Sequence, residues 1–332
     1  MSNKDEKTGI FIVPTGIGAS IGGYAGDASA YARKFSKFSN LIVNPNVVNA
    51  GGFSGINDKM LYVEGYSLDE FCKGNIKLKP VNSPNKIGIV FDKAIPNDVL
   101  NVHLNTMNAV RVVYGVEVTD YEITQEPMGI EFELNCNGIS DGSVKNPETI
   151  LKSAKNLLNK GCTAIAIVGM FDDPEDINTD YANGQGTDPV GGVEAIISHY
   201  ISKELQVPCA HSPAFCDYQI YPDVVNPKSA SEYITPTFLP CILLGLSQAP
   251  LLTNDEGISI KDVDFLIMPY DSMGSPAVFG AIENGVKVYA IKENTTALNV
   301  TPKSLGIENK IKIVETYEEC LKLIRQCSFC SQ

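Results

Sequence analysis

Short apolar runs alternate with amphipathic stretches of helix length along most of the chain. Residues 10–13, 41–43, 87–91, 164–168, 265–268 and 286–291 are rich in Ile and Val and bounded by Gly, Pro, Asn or Asp, as expected of strands buried on both faces. Residues 28–38, 97–114, 148–160, 193–205, 277–284 and 318–325 space their apolar positions as helices do. Pro147 before Glu148 suits a first helical turn, and Gly161 suits the cap that ends it. The alternation predicts an α/β fold, a mainly parallel, Rossmann-like three-layer sheet with helices on both faces. One stretch departs from the pattern. Residues 116–124 and 129–135 are consecutive strand-like runs and read as an antiparallel hairpin or an edge extension. The polar, glycine-containing segment 140–146 then marks a boundary between two subdomains, 1–145 with a glycine-rich loop and 146–332.

Composition narrows the function. A chain of 332 residues accommodates about two domains or one large α/β domain. Its 44% apolar content excludes wholesale disorder. A net charge of −13 argues against binding nucleic acid phosphates or an anionic membrane surface. The first eight residues are polar, without a signal-peptide core, and the apolar run 238–246 is short and interrupted by Pro240. These features predict a cytoplasmic protein whose nine cysteines, an odd number, are thiols. Cys327 and Cys330 form a CxxC without the second pair that a closed zinc site needs.

Three glycine-bearing loops follow predicted strands. The first, residues 14–27, carries Thr15, Gly16, Gly18, Gly22, Gly23 and Asp27. It resembles a dinucleotide loop superficially, but its helix begins late, with Asp27 as a candidate N-cap, and Asn44-Pro45-Asn46 offers no acid for a ribose. A loop lining a substrate, with Asn46 and Asn49 beside it, is the preferred reading. The second, residues 184–192, brings Asp188, Gly191 and Gly192 to a helix N-terminus, an anion seat. The acidic run 172–176 before it reads as a solvated loop. The third places Asp271, Ser272 and Ser275 beyond one strand and Lys292, Glu293 and Asn294 beyond the next. In parallel sheets ligands bind outside the carboxyl ends of the strands, so all these loops are expected on one edge.

Of three histidines, His103 lies on an apolar helical stripe and reads as a core residue, while His199 falls off the stripe of its helix. His211 lies where a short strand breaks into a loop, the usual place for a catalytic acid or base. Cys209, two residues before it, shares its face in an extended strand, which permits a thiolate–imidazole pair or two metal ligands. The alternative for Cys209 is a small buried hydrophobe.

Residues 13–18 and 22–27, 46–49, 188–195 with Ser198-His199, 209–213 and 237–240 together resemble the domain of unknown function 3326 family over nearly the whole chain. The resemblance implies a bacterial-type protein of this length and carries over no activity or catalytic residue. The residues themselves point to an enzyme acting on a small anionic or polar metabolite, of hydrolase or lyase type. His211 would be the acid/base, with Cys209 as nucleophile or Glu194 as partner, and Asp271, Lys292 and Glu293 would position the substrate. Three alternatives stand beside it. They are a metal-dependent hydrolase using His199 and His211, a nucleotide- or NAD(P)-binding oxidoreductase, and a non-enzymatic metabolite-binding protein. No cofactor is strongly indicated. The expected partner is a small molecule, with neither nucleic acid nor membrane, in a homo-oligomer.

Overall fold

In the computed structural model, which describes residues 6–172 and 181–329, two parallel sheets carry the chain. The larger has six strands in the order Ile311–Val314, Lys287–Ile291, Phe265–Pro269, Lys7–Phe11, Ser39–Val43, Met60–Tyr62. The smaller has four, in the order Cys209–Ala214, Ala164–Met170, Ile87–Phe91, Val118–Ile123. Helices flank both sheets, so the fold is Rossmann-like α/β. Each of the six Ile- and Val-rich runs contributes a strand to one of these sheets, and a helix occupies each expected helical stretch.

Strand side chains alternate between two layers, as pleating requires. Phe11, Leu41 and Val43 face one core cluster, and Ile10, Ile12 and Ile42 face another. The first cluster also takes in Ile89, Phe91, Ala166 and Val168 of the smaller sheet and Leu243 and Leu246 of the helix Leu239–Ser247. One apolar core therefore spans both sheets. Strand pairing follows neither half of the chain. The six-stranded sheet joins strands from the two ends, and the four-stranded sheet draws strands from either side of residue 145.

Three local expectations are corrected. The run 118–123 pairs in parallel with Ile87–Phe91, and Ile130–Leu134 pairs antiparallel with Ser140–Val144. The polar segment near 140 is thus a strand, its polar residues alternating on an outer face. His211 lies inside the strand Cys209–Ala214, paired with Ile167, and not in a loop. Asp27 does not cap the helix Ser29–Phe35, which starts from Ala28 without a side-chain cap; its Oδ1 accepts instead from the Gly22 amide at 2.6 Å. Among the described residues no helix is long and apolar enough to cross a membrane.

Chain order reverses at Lys7–Phe11 in the larger sheet and between Ile87–Phe91 and Ala164–Met170 in the smaller. These are the switch points at which loops diverge and leave a crevice.

Candidate functional site

The loops from the two switch points meet around His211. Gly16 has φ +72°, and a Cβ there would lie 3.1 Å from both the Gly192 amide nitrogen and Ser140 Cβ. Glycine lets the first loop press against the start of the helix Gly191–Leu205. Ser140 stitches the contact, donating its amide to Gly16 O at 2.8 Å and its hydroxyl to Pro189 O at 2.7 Å, while accepting from the Gly192 amide at 2.9 Å. The crevice that remains has an inner cavity of about 60 Å³, lined by Thr15, Asn46, Asp188, Glu194, His211 and Glu232 among others. It shares Tyr181, Asp188, Pro213, Glu232 and Phe238 with an outer cavity of about 340 Å³. A third cavity, of about 220 Å³, reaches His211 from the other side, past Glu64, Asp69, His199 and Ser275.

His211 is held through Nδ1, 2.8 Å from Ser198 Oγ, and that hydroxyl lies 3.2 Å from Ala195 O. When Nδ1 donates to the serine oxygen and the serine hydroxyl donates to the carbonyl, Nε2 is left as an acceptor. Burial, reinforced by the neighbouring His199, depresses the imidazole to about 3. His211 is therefore neutral at physiological pH.

The carboxyls beside it are shifted the opposite way. Glu194 is 6% exposed and its Oε1 has no hydrogen-bond partner. Burial, with Asp188 and Glu232 nearby, holds it well above the ordinary carboxyl range. Burial and then the charge of Asp188 raise Glu232 to about 8, against the lowering effect of hydrogen bonds from the Ala25 amide at 2.5 Å and the Tyr181 hydroxyl at 3.1 Å. Burial also raises Asp188, opposed by the Val190 and Gly191 amides, and raises Asp27 to about 6. A depressed imidazole and three raised carboxyls, Glu194, Glu232 and Asp188, thus line one chamber. Groups pushed apart from their ordinary values in this way mark candidate acid–base sites.

Several amides of the glycine loops are already taken by the protein's own oxygens. The amides of Ser20, Ile21, Gly22 and Ala25 are taken by Thr295 O, Asn294 Oδ1, Asp27 and Glu232. Val190 donates to Asp188 Oδ1 at 3.0 Å, and Gly192 to Ser140. The expected anion seats are filled by the protein's own oxygens, because internal carboxyls converge where a phosphate would sit. Gly18 packs against Thr187, and Gly23 lines the inner cavity. Asn46 donates to Val13 O and Pro14 O, and Asn49 accepts from the Tyr62 hydroxyl, so both shape the wall.

The third loop is largely structural. Asp271 accepts from the amide and hydroxyl of Thr296, and Ser272 donates to Pro269 O. Lys292 is exposed and paired with Glu315; Glu293 accepts from the Tyr317 amide; buried Asn294 ties Ile21 to Tyr317. None of these five lines the cavities around His211, whereas Ser275 does, while accepting from Val278 as a helix cap. Cys209 is 1% exposed, its thiol pushed well above its ordinary value by burial, and it packs with Ile165, Ile197 and Leu157. It is a buried hydrophobe rather than a thiolate partner for His211. His103 is a core residue, its Nδ1 3.0 Å from Val99 O. Among the described residues no three His, Cys, Asp or Glu side chains converge as metal ligands, so His199 and His211 lack the further ligand a metal centre needs. Instead His199 Nε2 lies 3.6 Å from Glu64 Oε2, a 3%-exposed carboxylate that caps the helix Gly65–Cys72 through the Tyr66 and Ser67 amides. Residues 173–180 of the acidic run and Cys330 of the CxxC lie outside the described residues.

Sequence reasoning missed Glu64, Tyr181 and Glu232. Glu64 had a usable signal, an acid directly before a helix start. Glu232 had none, because it lies in residues 215–236, which carry only the short helix Ala230–Tyr233.

Comparison with known proteins adds kinship. The sequence pattern of a family described as protein of unknown function (DUF3326) matches residues 8–327. A protein of Synechococcus sp. (strain PCC 6301), named an uncharacterized lipoprotein, is 40% identical over 308 residues, covering 90% of this chain and 85% of its own length. No solved structure matches.

Proposed function

The chain belongs to the DUF3326 family, and from its site we propose that it is a small-molecule enzyme performing proton-transfer chemistry of hydrolase or lyase type on a polar metabolite. The observation that carries the reading is the placing in one cavity of the His211 imidazole and a buried Glu194 carboxyl whose Oε1 has no hydrogen-bond partner among the described residues. In this reading Glu194 donates the proton and His211, fixed by Ser198, accepts a hydrogen bond from the substrate and orients it. Thr15 and Asn46 complete the wall. The filled amide seats favour a polar or cationic group over an anion in the inner cavity.

Turnover tests it. A panel of small amides, esters and amines is assayed with wild-type protein, His211→Ala and Glu194→Gln. The reading expects both variants to lose at least about 100-fold, within the range of general acid–base catalysis. A variant with full turnover removes that residue's role. Location is part of the same proposal. Cys72, Cys136, Cys162, Cys209, Cys216, Cys241 and Cys320 are free thiols, which fits a reducing compartment, whereas the relative's name points to a lipid anchor. Recovery in the soluble rather than the membrane fraction supports the cytoplasmic reading.

A further inference from the structure

The two connected cavities differ in character. The outer one is walled by aromatic rings, Tyr181, Phe215, Tyr221, Tyr233 and Phe238. The inner one is a carboxyl pocket formed by Asp188, Glu194 and Glu232. No Lys or Arg among the described residues lines either cavity. Aromatic faces carry negative quadrupole density and attract cations. Independently, Glu194 is more than nine-tenths buried with Oε1 unpartnered. A buried polar atom left without a partner is costly, and native proteins keep few of them.

We propose that the site takes a ligand with a compact primary ammonium head on an apolar or aromatic body, the head at the unpartnered Glu194 carboxyl of the inner cavity, whose wall also carries Asp188 and Glu232, and the body against the rings of the outer cavity. The inner space, about 60 Å³, suits a head group of a few heavy atoms and not a ring. A metal ion is the weaker fit, since no ligand set converges among the described residues. Facing the head are Asp188, Glu194, Glu232, Tyr181 and His211; behind them Asp27 is accompanied by Lys228, whose ammonium lies over the Tyr24 ring and donates to Ser20 O. Burial raises Glu232 to about 8 and raises Glu194 in the same direction, so an arriving ammonium favours their ionised forms and releases protons, and affinity rises with pH up to about 8.

This inference rests on the chamber being a ligand site but not on His211 moving a proton, so binding and turnover fail separately. The full chain is titrated calorimetrically with tyramine, 2-phenylethylamine and hexylamine, and with the carboxylates 4-hydroxyphenylacetate, phenylacetate and hexanoate. At least one amine is expected to bind, more weakly by ten-fold or more in Glu194→Gln and in the vestibule variant Tyr233→Ala, and the matched carboxylate is not. Heats measured in two buffers of different ionisation enthalpy report the released protons. Failure of all three amines, tighter binding of a carboxylate, or affinity within two-fold of wild type in both variants overturns the proposal.

Discussion

Replacing Glu232 with Gln removes one titrating group while keeping an acceptor for the Ala25 amide and the Tyr181 hydroxyl. Its carboxyl is raised from 4.5 to about 8, so the folded chain holds a proton that the unfolded chain has released. A raised acid contributes stability that is fully present below its unfolded value and is lost as pH rises through its folded value. Between about pH 5 and 8 Glu232 by itself binds one more proton in the folded state than in the unfolded, a contribution of about −1.4 kcal/mol per pH unit and about 4 kcal/mol across the window. Glu194, raised well above the ordinary range, and Asp27 and Asp69, each raised to about 6, act in the same direction, and His211, lowered to about 3, opposes them at the acid end, so the Glu232 contribution is read as the difference between variant and wild type. Urea denaturation at pH 5.5, 6.5, 7.5 and 8.5 reads this directly. Relative to wild type, Glu232→Gln is expected to gain stability as pH rises, from about 1 kcal/mol at pH 5.5 to several kcal/mol at pH 8.5, with an unchanged urea slope. A variant whose profile runs parallel to that of wild type, or converges on it as pH rises, refutes the assignment of a buried carboxyl raised in this way.

Two further outcomes follow from the packing. Gly16→Ala places a Cβ 3.1 Å from the Gly192 amide nitrogen at φ +72°, and is expected to cost about 1–3 kcal/mol, read from the denaturation midpoint; an unchanged midpoint contradicts the close approach of the two loops. Cys209→Ala is expected to leave turnover on the assay panel within about two-fold, since its buried thiol does not ionise at neutral pH; a 100-fold loss restores it as nucleophile.

Much of the fold was legible because parallel strands buried on both faces are continuous apolar runs. The strands at 10–13, 87–91 and 164–168 needed only that signal. Their pairing was not legible, because joining Lys7–Phe11 to Phe265–Pro269 is a choice made across most of the chain. The strand at Ile130–Leu134 was legible but its partner was not, since a strand with one solvated face, such as Ser140–Val144, carries little apolar signal. In the site, Glu194 and His211 were reachable from a helix start and a strand. What distinguishes them, the desolvation of one carboxyl and the occupation of the loop amides by Asp27 and Glu232, exists only once distant segments converge. The same holds for Lys292 and Glu293, which stand at a strand's carboxyl end as the pattern requires yet pair with Glu315 and the Tyr317 amide.

The central claim is that Glu194 carries a proton at neutral pH beside a neutral His211. Isotope-edited infrared difference spectra of wild type against Glu194→Gln at pH 7 test it most directly. The account predicts a protonated-carboxyl band in the wild type that is missing from the variant and weakens when an amine ligand is added. A difference spectrum showing only carboxylate bands at pH 7 contradicts it.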